Sequence, residues 1–160
     1  MRNFILILSI IAIGLTSCGD DSKTLIEQHD QLLKENDSLK QVNMQFHQMH
    51  LQMKDTHDQM QQLVETEEIN DTDILEKLAQ HAVLLKEHEA MMTGQEAMIE
   101  AHEGLREDFN KLNLTEMEAQ IAEMQEGHDK MMAEHETMRK EHEQMEKDHT
   151  KMLEQITAQE

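Results

Sequence analysis

The chain has 160 residues, with 34 Asp and Glu against 14 Lys and Arg, so its formal net charge at pH 7 is −20. Such a charge repels phosphate backbones, which excludes nucleic acid as a favoured partner and favours cations or basic proteins. The sequence contains no Pro, Trp or Tyr and a single Cys, so no disulfide framework is expected.

The N-terminal residues follow the pattern of an export signal. Arg2 supplies a positive charge, and residues 4–15 form an almost continuous apolar run. A helix of that length rises only about 18 Å, which is too short for the roughly 30 Å hydrocarbon core of a bilayer. We therefore predict a cleaved signal peptide over residues 1–17.

The apolar run ends in Leu15-Thr16-Ser17-Cys18, which resembles the lipobox of bacterial lipoproteins. The resemblance implies that Cys18 is lipidated and anchors the protein to a membrane of the cell envelope. The next residues, Gly19-Asp20-Asp21-Ser22, are similar to an acidic sorting signal for surface exposure on the outer membrane, but an acidic linker over 18–22 explains them equally well. The periplasmic and surface faces of that membrane both stay open.

A seven-residue period follows the linker and predicts a first helix over residues 23–68 with a coiled-coil seam. The d positions of this heptad are apolar: Leu25, Leu32, Leu39, Phe46, Met53 and Met60. The a positions are mostly polar: His29, Asn36, Asn43, His50 and His57, before Val64. Asn at a is typical of seams in which a polar residue sets the register.

Two capping boxes predict the start of two further helices, over 73–110 and 115–157. These are Asp73 with Glu76 and Thr115 with Glu118. In the second helix we place these residues at the seam: His81, His88, Gln95, His102 and Phe109 at a, and Lys77, Leu84, Met91, Met98, Leu105 and Leu112 at d. Apolar residues at e, such as Leu78 and Ile99, make a wider apolar face an alternative.

Residues 23–160 are therefore predicted to form one all-α coiled-coil domain. Helices of this length without wide apolar faces must associate to be stable. An antiparallel three-helix bundle within the chain and a parallel homo-oligomer of rods both satisfy the pattern.

His and Met alternate along the third helix in steps of four and three residues. Residues at this spacing have Cβ atoms about 5–6 Å apart, so His-x-x-Met can share one ion. Repeats of this unit and its neighbours give the candidate metal ligands: His50, Met53, His57, Met60, His88, Met91, Met124, His128, Met131, His135, Met138, His142, Met145, His149 and Met152. Thioether sulfur selects Cu(I), and by the same softness Ag(I), and imidazole also suits copper.

These repeats are similar to those of the periplasmic silver- and copper-binding proteins of silver-resistance systems. That resemblance implies capture of Ag(I) or Cu(I) at the cell envelope. Glutamates beside several histidines, as in Glu134-His135-Glu136 and Glu141-His142-Glu143, are expected to favour the protonated imidazole and to weaken metal binding in acid.

Other interpretations of the His–Met stripe stay open. Met at helical spacing packs well as core, which would make the protein a structural lipoprotein, similar in outline to the small trimeric coiled-coil lipoprotein of enteric bacteria. A seam of stacked His could instead respond to pH. Catalysis is not expected, because the sequence has no Gly-rich phosphate loop and no nucleophile is available once Cys18 is lipidated.

Overall fold

A computed structural model describes residues 21–105 and 107–158, which are almost entirely helical. The predicted signal peptide, residues 1–17, and the predicted lipid anchor Cys18 lie outside this part of the chain. Within the described residues, no helix is both long enough and apolar enough to cross a bilayer.

The described residues form three long α-helices and one short 3-10 helix. Helix α1 spans Asp21–Thr66, α2 spans Thr72–Gly104, and α3 spans Leu114–Thr157, with the 3-10 turn at Phe109–Lys111. Each long helix packs against the other two. The chain runs up, down and up, so α2 is antiparallel to α1 and α3, and the antiparallel three-helix bundle is the architecture of this all-α fold.

The turn between α1 and α2 explains how the chain reverses in so few residues. Glu68 adopts a left-handed φ of 50°. The Ile69 amide then donates to the Val64 carbonyl at 2.9 Å, the pattern of a Schellman cap. Ile69 also packs on the apolar cluster that closes this end of the bundle.

Both predicted capping boxes are displaced by two residues. Helix α2 is capped by Asp71, whose side chain accepts from the amides of Asp73 and Ile74. Helix α3 is capped by Asn113, which forms a reciprocal capping box with Glu116. Asp and Asn cap at least as well as Thr, and the earlier start adds hydrogen-bonded residues to each helix. At the other end, α1 already includes Asp21 and Ser22, which the sequence had placed in the linker.

The prediction that α2 extends to residue 110 was wrong. The helix ends at Gly104, and Phe109 follows in the 3-10 turn, where it is buried and stacks on His29 with ring centroids 3.8 Å apart. Glycine weakens a helix, so Gly104 is a natural end, and the turn brings Phe109 over the end of the core.

The core alternates between apolar and polar layers along the bundle axis. Apolar layers combine one residue from each helix, as in Leu39, Ile99 and Met131, or Phe46, Met92 and Met138. The d assignment in α2 was wrong, because Leu78, Leu85, Met92 and Ile99 are buried there, whereas Lys77, Leu84, Met91 and Met98 are only partly buried. An antiparallel helix meets its neighbours in the reverse order, so the residues that align with the d layers of α1 are those three residues N-terminal to each buried His or Gln of α2.

Candidate metal centres

Histidine fills most of the polar layers of this core. Ten of the 11 histidines are buried, and only His47 is partly exposed. They lie at a of α1 and α3 and at the matching positions of α2, so the seven-residue spacing on each helix stacks them along the axis. Histidine is rarely enclosed in such numbers in a soluble core, where buried polar groups need partners.

Among the described residues, two groups of three histidines bring their ring nitrogens within 4.8 Å of one another. We call them the middle triad, with His50, His88 and His142, and the end triad, with His57, His81 and His149. Each takes one histidine from each helix, and all six side chains are buried. The triads lie one heptad apart, about 10.5 Å along the helix axis, so each could hold its own ion.

In the middle triad, His88 connects the other groups. Its Nδ1 lies 3.1 Å from Nε2 of His142, and its Nε2 lies 2.6 Å from Oε2 of Glu141. The ring of His50 lies 6.2 Å from that of His88 and 6.0 Å from that of His142, measured between centroids. Within residues 21–105 and 107–158, Nδ1 of His50 and Nδ1 of His142 have no hydrogen-bond partner.

The end triad repeats this geometry one heptad further on. Nδ1 of His81 lies 3.2 Å from Nε2 of His149, and its Nε2 lies 3.4 Å from Oδ2 of Asp148. The ring of His57 is 5.8 Å from that of His149. Glu141 and Asp148 each precede a triad histidine of α3, so the same local sequence order places a carboxylate on the α2 histidine in both triads.

These carboxylates decide which nitrogens face the centre of each triad. When Nε2–H of His88 faces Glu141, or that of His81 faces Asp148, the Nδ1 lone pair of the ring is directed at Nε2 of the α3 histidine. Histidines that bind metals commonly donate their other N–H to a carboxylate in this way, which orients the ring and raises its basicity as a ligand.

Burial keeps several of these imidazoles neutral. It lowers the pKa of His142 and of His149 to about 4, with further lowering by neighbouring histidines. Burial also lowers the pKa of His50, His57 and His81 from the ordinary value. A neutral imidazole can bind a metal without first losing a proton, so the triads favour coordination at neutral pH.

The expectation that flanking glutamates favour protonation was wrong for His135 and His142. Burial lowers the pKa of both histidines. Neighbours in sequence point to other faces of a helix, so Glu136 and Glu143 stay in solvent and pair with Arg139 while the rings turn inward. The desolvation of the ring therefore outweighs the attraction of the screened carboxylates.

The predicted methionine ligands lie in the apolar layers between the histidines. Met60 and Met152 pack at the end of the bundle with Val64, Ile74 and Leu78. Met124, Met131 and Met138 each belong to a separate apolar layer. Met145 is buried, whereas Met53 and Met91 are partly buried. The ring nitrogens thus converge between helices, and the methionines take packing positions above and below them.

Sequence reasoning missed His81, which has Leu84 three residues later and so does not begin a His-x-x-Met unit. The seven-residue series His81, His88, Gln95 and His102 was the available signal. Conversely, His128 and His135 were predicted as ligands but lie outside both triads: His128 approaches His102 with centroids 5.2 Å apart, and His135 stacks on Phe46 at 4.6 Å.

Comparisons with models of protein families, with curated proteins and with solved structures found no match to this chain.

Proposed function

We propose that this protein binds Cu(I), or its analogue Ag(I), at the two triads inside the bundle, and that a lipid on Cys18 holds it at the bacterial cell envelope. The observation that carries the proposal is the convergence of three buried imidazoles, one from each helix, at each of two successive layers. The role of the protein at the cell envelope would be to sequester or buffer a toxic soft metal.

The charge of each triad supports a monovalent ion. Three neutral imidazoles contribute no charge, and one carboxylate, Glu141 or Asp148, contacts each triad. One positive charge is thereby balanced, whereas an unbalanced charge in a buried site is costly.

Coordination preference supports the same ion. Imidazole suits copper, and Cu(I) is stable with three ligands, whereas Zn²⁺ normally takes four. The layers beside the middle triad are built from Phe46, Met92 and Met138 on one side and include Met145 on the other. This apolar and polarizable shell limits solvent access, which favours the reduced state of copper.

Cell-envelope location rests on the resemblance of residues 15–18 to a lipobox. Cells fed a labelled fatty acid should incorporate label into the wild-type protein and none into Cys18→Ser. Labelling that persists in Cys18→Ser would exclude the anchor, whatever the metal chemistry of the bundle.

A titration with Cu(I) under anaerobic conditions tests the metal sites. Full-length protein in detergent would compete with a chromophoric Cu(I) chelator. We expect one tightly bound ion per triad, the loss of one ion in His142→Leu, and the loss of both when His149→Leu is added. His135→Leu is the matched control, because it removes a buried histidine outside the triads and should keep both ions.

A second variant separates the triads from the His–Met ladder. Met131→Leu combined with Met138→Leu removes two thioethers from apolar layers and leaves all six triad histidines. We expect unchanged Cu(I) capacity. A lowered capacity with an intact helical spectrum would favour the ladder. Zn²⁺ bound more tightly than Cu(I), and lost in the variant His142→Leu with His149→Leu, would contradict the monovalent assignment of the triads.

The competing proposal is a structural lipoprotein whose helical rod acts as a spacer. The packing of Met131 and Met138 in three-residue apolar layers favours it, since those layers need no ion. Under this proposal the wild-type protein would fail to retain Cu(I) against the chelator.

A further inference from the structure

A second kind of polar layer lies two heptads from the middle triad, toward the start of α1. Its residues are Asn36 of α1, His102 of α2 and His128 of α3, all at least nine-tenths buried. The rings of His102 and His128 have centroids 5.2 Å apart, within the range found in the triads. As in the triads, α2 and α3 each supply an imidazole. Helix α1 supplies the carboxamide of Asn36 at the position where it supplies a histidine to the triads.

The polar atoms of this layer lack protein partners. Asn36 Nδ2 donates to the carbonyl of Ile99 at 3.1 Å, which fixes the amide and leaves Oδ1 as its free end. In the part of the chain that the structure describes, Asn36 Oδ1, His102 Nδ1 and His128 Nε2 have no hydrogen-bond partner. A buried polar atom without a partner costs about 1–3 kcal/mol, so a ligand that binds these atoms would stabilise the layer.

Glycine 127 makes room for this arrangement. A Cβ at Gly127 would lie 2.8 Å from Cε1 of His102 and 2.8 Å from Sδ of Met98, closer than real contacts allow. Gly inside a helix costs about 1 kcal/mol relative to Ala. A Cβ at Gly94 or Gly104 would meet no atom within 4 Å, so Gly127 is the described helical glycine whose place is explained by neighbouring side chains, those of His102 and Met98.

A carboxylate lies at the edge of the same layer. Oε2 of Glu35 is 3.7 Å from Nδ1 of His128, a little beyond hydrogen-bond distance. A short movement would let Glu35 accept the Nδ1–H and leave His128 Nε2 as a ligand atom. This relation matches that of Glu141 to His88, with the carboxylate supplied by α1 instead of α3.

We propose that Asn36, His102 and His128 form a third metal site, which takes a borderline divalent cation of the Zn²⁺ and Co²⁺ class. Two imidazole nitrogens and one amide oxygen form a mixed ligand set, and the hard oxygen disfavours Cu(I). A water molecule completes four-coordination, as in zinc sites that keep one open position. The site shares no residue with either triad and does not depend on them.

Zn²⁺ titration followed by NMR of the histidine ring protons tests this site directly. The full-length chain in detergent should show saturable shifts at His102 and His128 with one equivalent of Zn²⁺. His102→Leu should abolish the shift at His128, whereas His135→Leu, the matched control in the next polar layer, should keep both. If His102→Leu fails to fold, Asn36→Leu keeps both imidazoles and should weaken Zn²⁺ at least tenfold.

Failure of Cu(I) binding at the triads can be distinguished from failure of Zn²⁺ binding at the third site. In the variant His142→Leu with His149→Leu, the shifts at His102 and His128 should persist even though Cu(I) binding is lost. The third site is rejected if Zn²⁺ in excess leaves His102 and His128 unshifted, including the case in which a buried water alone fills the layer. It is equally rejected if Asn36→Leu binds Zn²⁺ as tightly as wild type.

Discussion

The two halves of the bundle share one register and one pattern of apolar layers, but they differ in what α1 contributes to the polar layers. Toward the α1–α2 turn, α1 offers His50 and His57, and three imidazoles meet. Toward the other end the next two polar positions of α1 are Asn43 and Asn36, before His29, and α2 also offers Gln95 in place of a histidine. The same helix geometry therefore gives layers of three imidazoles in one half and mixed layers of amides and imidazoles in the other.

Under the two proposals, single residues on a fixed scaffold set which metal each polar layer prefers. Each polar layer has one position per helix, and the backbone holds these positions in the same relation from layer to layer. Changing one side chain changes the donor atoms without changing the packing around them. A substitution in one half can therefore be compared with the equivalent substitution in the other half as its control.

The largest expected effect is a change in metal stoichiometry. Asn36→His would complete a layer that already holds His102 and His128, so we expect one additional Cu(I) ion per chain in the chelator competition. Asn43→His is the matched control, because its layer contains Gln95 and a single other histidine, His135. Equal Cu(I) capacity in the two variants would refute the importance of a third imidazole.

Acid should destabilise the metal-free bundle through the triads. Burial lowers the pKa of His142 and His149 to about 4, and an unfolded histidine titrates near 6.5. Between these values the unfolded chain binds more protons, so stability is complete above about pH 6.5 and falls as the pH drops toward 4. Each such histidine contributes a slope of about 1.4 kcal/mol per pH unit.

Thermal unfolding followed by circular dichroism, in the presence of a chelator, measures this slope. The Tm should fall steadily from pH 7 to pH 5. The variant His142→Leu with His149→Leu should show a shallower dependence, since two of the buried bases are gone. A Tm that does not change across this range would contradict the burial of neutral histidines.

The boundary between the two halves is the apolar layer of Phe46, Met92 and Met138. Met138 is fully buried, so Met138→Ala should cost about 2–5 kcal/mol of unfolding free energy in denaturant titrations. Met132→Ala, at a residue 37% exposed, should change it by under about 0.5 kcal/mol. Similar costs for both variants would contradict the assignment of Met138 to the core.

The smallest effect distinguishes two helical glycines. Gly94→Ala enters open space and should stabilise the protein by about 1 kcal/mol. Gly127→Ala introduces a Cβ against His102 and Met98, so the same propensity gain should be cancelled or reversed. A stability gain of equal size in both variants would show that the His102 ring can move aside without cost.

The fold was largely predictable, because the seven-residue period and the absence of Pro specify long helices with one seam each. The register of α2 was not, since its local sequence offers apolar residues at both Leu84 and Leu85, and the choice depends on which neighbour they meet. The triads could not be predicted either, because they also depend on which residues of neighbouring helices meet. Ligand patterns within one helix favoured His88 with Met91, whereas the structure places His88 against His142 of another helix.

Because each triad draws one ring from every helix, a metal ion held there would act as a cross-link between segments distant in sequence. The turn around Glu68 and the connection between α2 and α3 would then no longer be the sole links that hold the helices to one another. A protease cut in the α1–α2 turn would leave the loaded fragments joined through the ion, while the empty protein would come apart more readily. The imidazoles also meet only after all three helices have docked, so an extended chain crossing a membrane could not carry the ion in that form.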